Sequence, residues 1–135
     1  ATGEASIRGL HILLAEDNEL NAEIAARLLN DEGATVQVVR DGQQAIDAFA
    51  SRPQGTYDAI LMDIMMPKID GYTATRVIRS TNRQDAKAIP IIAMTAHVFD
   101  EDVKQCLEAG MNAHLPKPLQ MEKVVSTIAR LCKRK

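Results

Sequence analysis

Asp63 ends the apolar run Ala59 to Met62, and three other apolar runs end on groups able to work with it. Glu16 and Asp17 follow His11 to Ala15, Thr95 and Ala96 follow Ile89 to Met94, and Lys117 and Pro118 follow the weaker run Ala113 to Leu115. Gathered in one crevice, three carboxylates repel one another and push at least one pKa upward. A hard divalent cation relieves that repulsion. Ligation by oxygen alone, with no cysteine or histidine to complete a softer set, suits Mg²⁺, with Mn²⁺ as an alternative. With the cation neutralising one side of Asp63, its other oxygen is a carboxylate nucleophile toward phosphorus. Lys117 can then pair with phosphoryl oxygens as a point charge, and Thr95 can donate a hydroxyl hydrogen bond.

Such convergence requires a fold that delivers all four run ends to one edge. Between the apolar runs, which include Thr35 to Val39, apolar residues recur at helical spacing: Ile24 and Leu28; Ala45, Ile46 and Phe49; Ala74, Val77 and Ile78. Two further helices are predicted from Phe99, Val103, Cys106 and Leu107, and from Met121, Val124, Val125, Ile128 and Leu131. Gly33 and Gly110 stand where helices should stop. Five β-α units with doubly apolar strands predict an α/β fold: a doubly wound, five-stranded parallel sheet of order 2-1-3-4-5, flavodoxin-like. Ligands of that architecture bind beyond the carboxyl ends of the strands, where the four run ends lie.

The 135 residues suffice for one hydrophobic core, and Ala1 to Gly9 reads as a linker before a domain at 10–133. With 16 basic and 18 acidic residues, net charge −2, the chain offers no cationic surface for a nucleic-acid backbone. No run is long enough to span a membrane and no basic-then-apolar leader opens the sequence, so a cytoplasmic domain is expected. Cys106 and Cys132 form no C-x-x-C pair and read as thiols in a reducing compartment.

The segments Leu14-Ala15-Glu16-Asp17-Asn18, Leu61-Met62-Asp63-Ile64-Met65-Met66-Pro67 with Asp70-Gly71, Met94-Thr95-Ala96 and Leu115-Pro116-Lys117-Pro118 resemble the signature set of response-regulator receiver domains. The run Gly110 to Leu115 resembles, more narrowly, receivers fused to hybrid histidine kinases. The resemblance implies that Asp63 is the phosphorylated aspartate. It implies that Asp17 ligates the metal directly, that Glu16 acts through water and that Met65 supplies a backbone carbonyl. Thr95 becomes the switch hydroxyl, with Ala96 beside it, and Lys117, before an expected cis Pro118, the phosphate-sensing lysine. The partners implied are a histidine kinase or a histidine phosphotransfer domain. The resemblance also implies a domain that assists its own phosphorylation, with a monomer or weak dimer expected, whether free-standing or part of a kinase tethered to a membrane sensor.

His114 stands where the family more often has a switch tyrosine or phenylalanine, and reads either as that switch or as a surface histidine. His97 lies close enough to the crevice to affect water access. On helix one, Leu20, Ile24 and Leu28 are expected to form the core stripe. Ala22, Ala25, Ala26 and Leu29, adjoining Leu20, are expected to form a second apolar face for docking a partner helix.

Three alternatives share parts of this pattern. A haloacid-dehalogenase-type phosphatase needs a second aspartate two residues after the nucleophile, where this chain has Met65. A flavin binder is disfavoured by the absence of tryptophan and by only two tyrosines and two phenylalanines. A docking module that is never phosphorylated would be favoured by loss of the acidic pair or the lysine, and all are present.

Overall fold

Short apolar runs and amphipathic segments alternate along the chain, and each settles where its period can be buried. The computed structural model describes residues 6–95, 100–117 and 119–132. In order these form β1 (His11–Ala15), α1 (Glu19–Asp31), β2 (Thr35–Val39), α2 (Gly42–Ser51), β3 (Ala59–Asp63), α3 (Gly71–Ser80), α4 (Gln84–Ala88), β4 (Ile91–Thr95), α5 (Asp100–Ala109), β5 (Ala113–Pro116) and α6 (Met121–Leu131). The strands are all parallel, in the order β2-β1-β3-β4-β5. The expected doubly wound architecture is therefore present, and its switch point lies between β1 and β3.

Alternation along each strand divides the interior into two layers. Leu13, Ile60, Met62 and Ile91 face α2 and α3 with Phe49 and Ile78, whereas Ile12, Leu14, Leu61 and Met94 face α1 and α6 with Leu29, Val124 and Ile128. The second layer reaches further back than the expected domain start at residue 10. Ile7 is fully buried in it, and the Gly9 N–H donates to the Gly33 carbonyl at 2.9 Å. A lone isoleucine among small polar residues has no period to betray its burial.

Short helix α4 was absent from the sequence expectation, because five residues are too few to show a helical repeat. β4 begins at Ile91 rather than Ile89, which caps α4. Gly33 and Gly110 follow α1 and α5 with φ of 95° and 106°, the left-handed conformation that ends helices.

The loops at the carboxyl edge are fixed by side-chain caps. Asn18 accepts from the Asn21 N–H, Asp41 from Gln44 and Asp70 from Thr73, at 2.9, 2.8 and 2.8 Å. Each such cap stabilises its helix by about 1 kcal/mol and sets the path of the loop before it.

Candidate functional site

Asp63 is the last residue of β3, and Glu16 and Asp17 are the first two after β1, so neighbouring parallel strands present all three acids at one edge. One oxygen from each carboxylate lies within 4.8 Å of the others. Glu16 and Asp63 are buried while Asp17 is exposed.

The local backbone imposes this arrangement. The Glu16 N–H donates to the Val39 carbonyl at the end of β2 at 3.0 Å, extending the ladder by one residue. Glu16 Oε2 accepts the Asn18 N–H at 3.1 Å as the chain turns into α1. After β3 the chain folds back so tightly that Gly71 packs against the Asp63 carbonyl, in space a Cβ would occupy. The Gly71 N–H donates to the Ile64 carbonyl at 2.9 Å, so only glycine fits this return.

Lys117 follows β5, and its N–H donates to the Thr95 carbonyl at 2.8 Å. Its ammonium bridges the acids, 2.9 Å from Glu16 Oε1 and 3.2 Å from Asp63 Oδ1. Asp63 Oδ1 also accepts the Met65 N–H at 3.3 Å. Thr95 is buried at the end of β4, one residue beyond the Asp63–Met94 pairing.

Three carboxylates and one ammonium sum to two negative charges, which a divalent cation would cancel. In the absence of such an ion the strain falls on Asp63, whose pKa rises to about 7. Burial is the main cause, the Glu16 charge adds to it, and Lys117 opposes both. Burial also acts to raise Glu16, but the hydrogen bonds from Lys117 and the Asn18 N–H prevail and its pKa is lowered. Burial would lower Lys117, yet its two acidic partners hold it above the usual ammonium range. The donor set, carboxylate oxygens at three converging positions, matches a hard oxygen-seeking cation and offers nothing to a soft one.

Of the residues singled out in the sequence, Glu16, Asp17, Asp63, Thr95 and Lys117 come together, with the Met65 backbone beside them. The Met65 side chain points to solvent, 76% exposed. His114 is half-buried on β5 and pairs in register with Ala93, two rungs short of Thr95. Ala96, His97, Phe99 and Pro118 lie outside the described residues.

The two faces of α1 are the reverse of the expectation. Ala22, Ala25 and Leu29 form the core stripe, and Ala26 packs partly against the same cluster. Leu20 and Ile24 are 64% and 49% exposed, and Leu28 is half-buried. Small alanines let the first turns of the helix lie close to the sheet, Leu29 fills the wider space at its far end, and Leu20 and Ile24 are left outside. Sequence reasoning also missed Arg40, whose guanidinium donates to the Asp17 carbonyl at 3.0 Å from the end of β2. β2 lies outside the switch point, so no strand-end signal in the sequence points to Arg40.

Residues 12–129 match the family model of the response regulator receiver domain. Histidine kinase 1 of Arabidopsis thaliana is 38% identical over 160 aligned positions, covering 96% of this chain. The chain spans only 13% of that relative's length. Among solved structures, the receiver domain of sensor histidine kinase PA1611 from Pseudomonas aeruginosa, with a magnesium ion coordinated in its active-site cleft, is 39% identical with a TM-score of 0.82. The alignment covers 93% of this chain and 99% of that one. The Saccharomyces cerevisiae phosphotransfer protein Ypd1 bound to the receiver domain of Ssk1 matches with a TM-score of 0.78 and 26% identity, over 88% and 86% of the two chains. A family match over nearly the whole described chain, a shared fold and an acidic cluster at the expected strand ends agree: this chain belongs to the response regulator receiver family.

Proposed function

We propose that Asp63 is the phosphoacceptor of a two-component phosphorelay, taking a phosphoryl group from a phosphohistidine of a histidine kinase or phosphotransfer domain. The observation that carries this reading is the Lys117 ammonium held between Glu16 and Asp63 at the edge of a three-carboxylate cluster. In the transfer, an Asp63 oxygen bonds to phosphorus as the phosphorus–nitrogen bond breaks, and the imidazole leaves with the bonding pair and takes up a proton. Lys117 moves part of its pairing from the carboxylates to the incoming phosphoryl oxygens, and the Thr95 hydroxyl donates to another.

Asp17 and Asp63, the Met65 carbonyl, and Glu16 through water would hold Mg²⁺, or Mn²⁺ with the same preference for oxygen. When bound, the ion neutralises carboxylate and phosphoryl charge and so lowers the electrostatic barrier to approach of two anions. Met65 in place of a second acid leaves the acyl phosphate without a side-chain base two residues on, which suits a relay rather than a phosphatase.

The partner docks beside α1. A cleft of about 410 Å³ runs from Ile24, Ala25 and Leu28, past Met94 and Leu119, to Glu16 and Lys117. Continued along α1 by a shallower groove where Leu20 joins Ile24 and Leu28, it would admit the apolar ridge of a phosphotransfer helix and bring its histidine toward Asp63. The Ypd1–Ssk1 complex supports this class of partner. His114 serves as the half-buried ring of the switch on β5, and the domain works as a monomer or weak dimer in the cytoplasm. No helix among the described residues is long and apolar enough to cross a membrane.

The test is intact-mass measurement after incubation with acetyl phosphate and Mg²⁺. The expected result is addition of one phosphoryl group to the wild type and none to Asp63→Asn. Equal uptake by the variant would overturn the assignment.

A further inference from the structure

Glu16 and Asp63 are each anchored through their carboxylates, by Lys117 and by the N–H groups of Asn18 and Met65 respectively. Asp17 differs. Among the described residues its carboxylate has no hydrogen-bond or ion-pair partner, although one of its oxygens lies with the other two in the cluster. The contact made by its peptide group comes from just beyond β2, where Arg40 Nη2 donates to the Asp17 carbonyl at 3.0 Å.

The root of Arg40 is itself held. Its N–H donates to Gln44 Oε1 at 2.8 Å, and the Gln44 N–H donates to the buried Asp41 carboxylate at 2.8 Å. One residue earlier, Val39 accepts the Glu16 N–H. The end of β2 thus grips both members of the acidic pair, Glu16 through a strand carbonyl and Asp17 through a guanidinium.

We infer that Arg40 is a positioning residue for the cation site: by fixing the Asp17 peptide it sets the direction of the Asp17 carboxylate and so the affinity for the divalent ion. The inference rests on the reading of Asp17 as a metal ligand. Outer groups that orient ligands commonly change metal affinity by ten- to a hundredfold when removed. A guanidinium acting only as a nearby positive charge would have the opposite effect, since its removal would make the acidic site more attractive to a cation, most strongly at low salt. The sign of the change therefore separates orientation from simple charge.

The experiment is calorimetric titration of Mg²⁺ into wild type, Arg40→Ala and Arg40→Lys at fixed pH and two salt concentrations, with thermal unfolding of each in EDTA. Orientation predicts roughly tenfold weaker binding by Arg40→Ala at both salt concentrations and partial recovery in Arg40→Lys. It also predicts unchanged unfolding temperatures without metal, because Arg40 is exposed. Unchanged or tighter binding by Arg40→Ala overturns the inference, as does weakening matched by a loss of metal-free stability that lysine does not restore. A wild type that binds Mg²⁺ but takes no phosphoryl group sinks the phosphoacceptor reading alone. A wild type that binds no Mg²⁺ sinks both.

Discussion

Lys117 Nζ lies 3.2 Å from Asp63 Oδ1, so the group expected to read the phosphoryl already rests on the carboxylate expected to receive it. The same ammonium is 2.9 Å from Glu16. Before any phosphoryl arrives, then, the lysine holds together two buried acids that would otherwise repel each other.

Removing that ammonium should expose the repulsion. In EDTA at pH 8, Lys117→Ala is expected to lose on the order of 1–3 kcal/mol, less than for a fully buried pair because the lysine side chain is 25% exposed. Saturating Mg²⁺ should restore part of the loss. Urea unfolding with and without Mg²⁺ measures both, and equal deficits in the two conditions would mean the lysine acts by packing rather than charge.

The raised pKa of Asp63 makes metal-free stability depend on pH. With a folded pKa of about 7 against 3.8 for the unconstrained group, the folded state binds more protons between those values. Stability therefore falls as pH rises through that window, and the contribution is gone above the folded value. Asp63→Asn removes the slope and should gain on the order of 1–2 kcal/mol at pH 8 in EDTA, allowing for coupling to Glu16 and Lys117. Unfolding curves at pH 5 and pH 8 check it; a variant with the wild-type slope would place the titration elsewhere.

The two faces of α1 should respond to substitution in opposite ways. Ala25→Leu inserts bulk between helix and sheet and is expected to cost about 1–3 kcal/mol in stability. Ile24→Lys, on the cleft, should change stability by no more than about 0.5 kcal/mol yet weaken binding of a phosphotransfer domain on the order of tenfold. Thermal melts and binding titrations separate the effects.

Arg79 is a structural cation at the opposite edge of the sheet. Its guanidinium donates to the carbonyls of Gly110, Ala86 and Ile89 and to Asn112 Oδ1 at 2.7–3.1 Å, joining the ends of α3, α4 and α5 to the start of β5. Arg79→Ala should destabilise by about 2–4 kcal/mol, and Arg79→Lys should recover less than half, since an ammonium cannot serve four acceptors in a planar fork. Phosphoryl uptake at low temperature should survive in both. Denaturant midpoints, together with the mass assay, test this.

The acyl phosphate on Asp63 is expected to be long-lived. Met65 is apolar and directed to solvent, so it cannot aim a water for in-line attack. Met65→Asn should shorten the lifetime several-fold, measured as decay of the phosphorylated mass in Mg²⁺ after donor removal. Decay of the wild type as fast as that of the variant would remove Met65 from control of the lifetime.

The order of the sheet and the membership of its acidic crevice were legible in the sequence because both are written in short-range signals. Apolar runs, helical repeats and the polar residue following each run are local, and right-handed crossovers leave few ways to wind them. The same local reading could not decide which face of α1 meets the sheet. Periodicity defined Leu20, Ile24 and Leu28 as one face and Ala22, Ala25 and Leu29 as another, and both are apolar. Closeness of packing chose the alanines, a property of helix and sheet together. The burial of Ile7, the hub at Arg79 and the Arg40 bond to Asp17 likewise join residues distant in the chain. No spacing encodes such contacts, because they exist only once β2 lies beside β1 and the ends of α3, α4 and α5 meet at one edge.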